Sequence, residues 1–173
     1  MAITVNANPV TLSWADFDQV AQVVDPIDGT PQDSVTAFAF DIPDRPPRVL
    51  HRQIALAETF EITITPNAQV RIGANQTLEL LSHEQFHYDV GIVIGRRLGH
   101  ELGALRAPDV PQLRTAMTKL VTFHFQTRAL LIQRRYDIDT RHGTNAHYQK
   151  LWKGFMRSCL ANTRSSQIHG FWL

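Results

Sequence analysis

The chain has 173 residues, a length at which one domain can bury a substantial hydrophobic core. Its 17 Lys and Arg residues and 16 Asp and Glu residues leave a net charge of +1, which argues against nucleic acid or an anionic membrane as the main partner. No apolar run is long enough for a membrane span, and the single Cys159 excludes an intrachain disulfide. The N-terminus lacks a secretory signal pattern. We therefore expect one domain, 1–173, that is cytoplasmic, exported by another route, or given without its signal.

The N-terminal region, 1–74, has the composition of β-structure. Alternating or β-prone runs lie at 3–5, 10–12, 35–42 and 61–73. The last of these has two alternating arms around Pro66 and Asn67 and predicts a hairpin. The segment 14–24 fits either a short helix or an irregular edge strand.

From residue 75 onward the apolar residues recur at helical spacing. This spacing predicts three helices, at about 76–103, 110–136 and 145–161. The expected fold class is therefore α+β, with the β-rich region (1–74) packed on the helical region (75–173). The apolar C-terminal residues Phe171, Trp172 and Leu173 are expected to dock on the body of the protein or on a partner.

The first predicted helix has glycines four residues apart, at Gly91, Gly95 and Gly99. Each glycine costs a helix interior about 1 kcal/mol relative to alanine, so a structural reason is expected. We predict that another backbone approaches closely along this row. The alternative is a helix break near Gly95.

The same helix carries the motif H-E-x-x-H, formed by His83, Glu84 and His87. Residues four apart lie on one helix face, so the two imidazoles can bind one tetrahedral zinc ion together. Glu84 is then a general base for zinc-bound water and not a ligand. The motif predicts one Zn²⁺ per chain.

A catalytic zinc site needs a third protein ligand, and the motif helix offers none at a suitable spacing. The segment 134–152 concentrates candidate ligands around a helix break at Gly143. We choose His142 as the third ligand, because imidazole binds zinc strongly and this residue lies at a turn. Asp137 and Asp139 are the alternatives.

Two motifs, H-E-Q-F-H-Y-D at 83–89 and Y-D-I-D-T-R-H-G at 136–143, resemble those of a bacterial domain-of-unknown-function family predicted to be secreted zinc-dependent proteases. The family motifs run approximately H-E-Q-G-H-F-D and Y-D-x-E-T-x-H-G, so this chain departs from them at Phe86 and Asp139. A family Trp-Asp-Phe near the N-terminus is matched by Trp14, Asp16 and Phe17. By position the resemblance marks His83, Glu84, His87, Asp89, Tyr136, Asp137, Thr140, His142 and Gly143.

Together, the motif and the resemblance predict a zincin-like metallopeptidase that hydrolyses peptide or protein substrates. Tyr136 is the expected oxyanion stabiliser, because a phenol beside the ligand segment can serve that purpose. Two other functions stay open. The chain is alternatively a binding or structural module that keeps a metal for stability, or an amidase acting on cell-wall peptides.

Overall fold

The computed structural model describes residues 2–26 and 29–173. In chain order, the strands are β1 (Ala2–Ala7), β2 (Phe17–Val20), β3 (Val23–Val24), β4 (Pro31–Gln32), β5 (Ser34–Asp41), β6 (Arg48–Leu50), β7 (Gln53–Ala55), β8 (Thr59–Arg71), β9 (Arg106–Ala107), β10 (Gln167–Ile168) and β11 (Phe171–Trp172). The helices are α1 (Leu78–Ala104), α2 (Val110–Thr122), α3 (Ala129–Thr140) and α4 (Ala146–Ala161). A π-helical segment, Phe123–Arg128, joins α2 to α3, so that they run as one long helix. The predicted α+β order, with strands first and three helices after them, is confirmed.

Strand β8 is the centre of the main sheet. Strand β5 pairs with it antiparallel along one edge, while β1 and β2 pair with it in parallel along the other. The predicted hairpin at 61–73 is wrong, because β8 continues through Pro66. Strand β1 ends opposite Ile64 and β2 begins opposite Ala68, so the proline falls in the gap between two partner strands. A residue without an N–H group can be tolerated there.

Helix α1 packs on this sheet along its row of glycines. A Cβ atom on Gly91 would lie 2.6 Å from Cγ of Phe38, and one on Gly99 would lie 3.1 Å from Cγ2 of Ile3. The close approach predicted for this row is present, but the prediction that a backbone makes it is wrong, because the nearest atoms belong to strand side chains. The helix continues through Gly95, so the alternative of a break there is wrong.

The C-terminal tail packs against the body of the protein. After α4 the chain forms the small antiparallel hairpin of β10 and β11. Leu173 is 1% exposed, and its backbone carbonyl accepts a hydrogen bond from Arg128. Phe171 is half-buried, and Trp172 is 61% exposed. Of the three residues predicted to dock, Leu173 is therefore buried in the core, whereas Trp172 is exposed to solvent.

None of the helices in the described residues combines the length and the apolar character needed to cross a bilayer. The apolar residues of the sheet and the helices instead form a shared core. Ile62 and Ile64 of β8 pack in this core together with Ile94 and Leu98 of α1. This packing fixes the orientation of α1 and hence the direction in which its motif residues point.

Candidate metal centre

Helix α1 brings His83 and His87 together on one buried face. Its N-terminus is capped by Thr77, whose side chain accepts a hydrogen bond from the backbone N–H of Leu80 at 3.1 Å. The two imidazoles are 3% and 7% exposed, and their Nε2 atoms lie 3.2 Å apart. The H-E-x-x-H spacing thus brings two nitrogen donors side by side in the interior.

Helix α3 supplies a third donor atom at the same point. Oδ1 of Asp137 lies 3.2 Å from Nε2 of His83 and 3.0 Å from Nε2 of His87. Ligands about 2.0 to 2.1 Å from one tetrahedral zinc ion are about 3.3 Å from each other. The three donor atoms therefore have nearly the mutual spacing of three ligands of a single ion.

Unsatisfied polar atoms at this cluster are consistent with a bound cation. Among the described residues, none makes a hydrogen bond of acceptable geometry with Oδ1 of Asp137 or with Nδ1 of His83, although both atoms are buried. Buried polar atoms are normally paired, and each unpaired one calls for an explanation. A metal ion on the Asp137 oxygen accounts for that atom, and it also accounts for the contact of two imidazole nitrogens. Nδ1 of His83 is the other nitrogen of a ring whose Nε2 meets the cluster, so it is not evidence for the ion.

The charges at the cluster are strongly coupled. Burial lowers the pKa of His83 below its ordinary value. Burial also acts to lower the pKa of His87, but the charge and hydrogen bond of Asp137, the charge of Glu84 and the hydrogen bond of Gln133 together outweigh burial and raise the pKa of His87 to about 9. Burial opposes ionisation of Asp137, yet the charge of His87 holds the pKa of this carboxyl well below its usual range. This pattern corresponds to one proton held between His87 and Asp137, and a divalent cation on the same atoms would displace it.

The geometry favours Asp137 over His142 as the third ligand. Helix α3 ends at Thr140, and both Arg141 and His142 have left-handed backbones with φ of 50°. After this turn, Nδ1 of His142 lies 3.7 Å from Oδ2 of Asp25, and His142 does not belong to the donor group of His83 and His87. Asp137 lies within the last turn of the helix, on the face that meets α1.

The other alternative, Asp139, is turned towards α4. Its Oδ2 accepts hydrogen bonds at 3.0 Å from both Nε1 of Trp152 and Nε of Arg135. An ion pair of 2.9 Å to the same arginine holds the second oxygen. Asp139 therefore ties α3 to α4 and is not brought to the two histidines.

Glu84 is held from one side by the sheet. Its Oε1 atom accepts a hydrogen bond of 2.6 Å from the hydroxyl of Ser34, the first residue of β5. Its Oε2 atom is buried, and no donor reaches it from residues 2–26 or 29–173. The carboxylate thus has one oxygen fixed by Ser34 and one buried oxygen without a hydrogen-bond partner among the described residues.

Tyr136 does not have the position expected of an oxyanion stabiliser. Its ring stacks on His83 with centroids 4.8 Å apart, and Phe86 stacks on it with centroids 3.7 Å apart. Its hydroxyl donates a hydrogen bond of 3.3 Å to Oε1 of Gln149, in α4. Tyr136 is fully buried and is absent from the described residues that line the cavity at the centre. We therefore correct its role to supporting the His83 ring.

The turn after α3 also supports His83. Gly143 has φ of 84°, and a Cβ atom on it would lie 3.1 Å from Cγ of His83. The turn is fixed by Gln149, whose Nε2 donates a hydrogen bond of 2.5 Å to the Gly143 carbonyl. Thr140 accepts a hydrogen bond of 3.3 Å from the Gly143 N–H group. Close packing of the glycine backbone on the imidazole restricts the orientation of His83.

A cavity of about 400 Å³ opens over the donor cluster, between the strands and the helices. It is lined by residues from the N-terminal region and from α1, α3 and the turn after α3, namely Asp25, Pro26, Gln32, Asp33, Ser34, Val35, Thr36, Leu80, His83, Glu84, His87, Gln133, Asp137, Arg141, His142 and Thr144. The three donor residues and Glu84 thus share one cavity that is accessible to a small ligand or a segment of peptide.

Sequence reasoning missed two groups at this centre. Ser34 bonds to Glu84 across 50 positions, and Asp25 faces His142 across a still longer separation. Neither residue belongs to a motif, so no local pattern connects them with the helix. Their only sequence signal is that they stand at the two ends of the segment 25–34, which is rich in Pro, Gly and Asp and precedes the β-prone run at 35–42.

Comparison with known proteins gives no relative for this chain: no family model, no curated protein and no solved structure matches it. The resemblance carried by the motifs at 83–89 and 136–143 therefore stays a prediction.

Proposed function

We propose that the protein is a zinc-dependent peptidase in which His83, His87 and Asp137 hold the metal and Glu84 is the general base. The observation that carries this proposal is the arrangement of Glu84. Oε2 of Glu84 has no hydrogen-bond partner among the described residues. Glu84 also lines the same cavity as the three donor residues. A purely structural metal site requires no free carboxylate beside it.

The proposed chemistry divides between the metal and the protein. When bound, zinc would lower the pKa of a coordinated water molecule to about 7 and polarise the scissile carbonyl. Ser34 holds one oxygen of Glu84, so that the other oxygen accepts a proton from water and returns it to the leaving amine. Arg141, which is among the residues that line the cavity, replaces Tyr136 as the candidate for stabilising negative charge on the carbonyl oxygen.

The remaining elements of the proposal follow from this site. The zincin-like architecture expected from the sequence is part of this proposal, and the packing of a β-rich region on the motif helix supports it. Tyr136 stacks on His83, and Gly143 packs against the same ring, so the ligand geometry is preorganised before the metal binds. The motif resemblance to predicted zinc proteases supports the same reaction class.

Metal removal and return test the proposal. Protein treated with a zinc chelator and then desalted is expected to lose hydrolysis of a mixed-sequence peptide library, followed by mass spectrometry. Addition of one equivalent of zinc is expected to restore it, because the donor cluster belongs to the folded core. Protein that cleaves the library equally well without any bound metal would contradict the proposal.

We further predict that Gly143→Ala weakens zinc binding by about 10-fold to 100-fold, the range typical for a lost supporting contact to a metal ligand. The added methyl group would meet His83 at 3.1 Å and shift its ring. Gly170→Ala is the matched control, because Gly170 also has φ of 84° and its Cβ position has no neighbour within 4 Å among the described residues. Both variants are expected to lose about 1 to 2 kcal/mol of stability from the left-handed backbone.

Denaturant unfolding and a zinc titration against a chromophoric chelator measure these two effects separately. If Gly143→Ala and Gly170→Ala bind zinc equally well, the glycine does not position His83.

A further inference from the structure

A second group of donor atoms lies beside the first and shares one residue with it. Asp25, Asp137 and His142 offer donor atoms that all lie within 4.8 Å of one another. Asp137 also belongs to the group formed with His83 and His87. A carboxylate has two oxygens, so one residue can serve two cations, as in sites where two metal ions lie about 3.5 to 4 Å apart.

The charges at this second group favour a cation. Asp25 and Asp137 are 7% and 6% exposed, so two carboxylates are brought close together with little water to screen them. Like charges in such a place repel each other, and a bound cation offsets that repulsion. The imidazole of His142 lies 3.7 Å from the carboxylate of Asp25, a separation longer than a hydrogen bond. The two side chains thus already approach each other at ion-pair distance, close to the separation of two ligands of one metal ion.

The backbone holds the group in place from both sides. The carbonyl of Asp25 accepts a hydrogen bond of 2.9 Å from Gly29, and its N–H donates to the Thr30 carbonyl at 2.9 Å. The N–H of His142 donates to the Asp137 carbonyl at 3.0 Å. Main-chain hydrogen bonds therefore hold Asp25 and His142 in position, and the side chains that bring the donor atoms together are short.

We propose that Asp25, Asp137 and His142 bind a second divalent transition-metal ion, with Asp137 bridging it to the first. Two carboxylates and one imidazole form a ligand set suited to zinc or manganese. The inference rests on the proposed zinc site, since Asp137 is common to both. The second site is the weaker one, because the donor atoms of His142 and Asp25 are 3.7 Å apart while those of the first site lie 3.0 to 3.2 Å apart.

Zinc titration of the metal-stripped full chain, followed by calorimetry, tests this inference. The wild type is expected to show a tight binding event followed by a weaker one. His142→Ala and Asp25→Asn are expected to weaken the second event by at least about tenfold and to leave the first in place. Asp33→Asn is the matched control, because Asp33 lines the same cavity but pairs with Arg71 at 2.5 Å. It is expected to keep both events.

The outcomes separate this inference from the proposed function. If the wild type shows a single tight zinc-binding event and His83→Ala abolishes it, the second site is contradicted, whereas the proposed zinc peptidase is not. A second event that persists unchanged in His142→Ala would also overturn it, and this variant alters a partly exposed side chain, so it is expected to fold. The absence of any zinc binding would overturn the proposed function itself.

Discussion

Replacement of Glu84 by glutamine is expected to lower kcat/KM for peptide hydrolysis by about 10² to 10⁴-fold, the usual contribution of a general base. The amide keeps the shape of the side chain, and its carbonyl oxygen can still accept the hydrogen bond from Ser34. It has no basic oxygen for the proton of water. We therefore expect the variant to fold normally and to bind zinc as tightly as the wild type.

Glu79→Gln is the matched control for this experiment. Glu79 lies in the first turn of the same helix and is exposed, so the identical chemical change should leave hydrolysis unaffected. Zinc affinity and activity are measured on the same preparations. If Glu84→Gln keeps full activity, the residue is not the base, and if it loses zinc as His87→Ala does, the residue is a ligand.

The second large effect is expected at Asp137. Asp137→Asn replaces a charged ligand with a neutral amide, which is expected to weaken the tight zinc site by at least about 100-fold, more than a supporting residue would. Hydrolysis is expected to fall with it. His142→Ala is expected to keep the tight site, since its ring lies beside Asp25 and not between the two motif histidines.

Asp139→Asn is the control from the same helix. Asp139 bonds to Trp152 and Arg135, so its replacement is expected to affect stability and not zinc affinity. Zinc affinity is measured by competition with a chromophoric chelator. Loss of the tight site in His142→Ala together with its retention in Asp137→Asn would reverse the ligand assignment.

The local features of the site were predictable from the sequence. A spacing of four residues on a helix forces His83 and His87 onto one face, whatever the rest of the fold does. The close packing along the glycine row and the order of strands and helices depend likewise on short-range patterns.

The non-local features were not predictable. The proposal of Asp137 over His142 as the third ligand depends on two left-handed residues after Thr140, where helix α3 ends. The sequence around Pro66 predicts a turn, because the adjacent residues do not indicate that β1 and β2 leave a gap opposite the proline. The contact of Ser34 with Glu84 joins a strand to a helix and exists only after folding.

The most direct test of the metal centre is a zinc-soaked crystal of the wild-type protein with diffraction data collected on both sides of the zinc absorption edge. We predict that the strongest anomalous peak lies about 2.0 to 2.2 Å from Nε2 of His83, Nε2 of His87 and a carboxylate oxygen of Asp137. A strongest peak elsewhere, or no peak among these three residues at a saturating zinc concentration, would contradict the assignment.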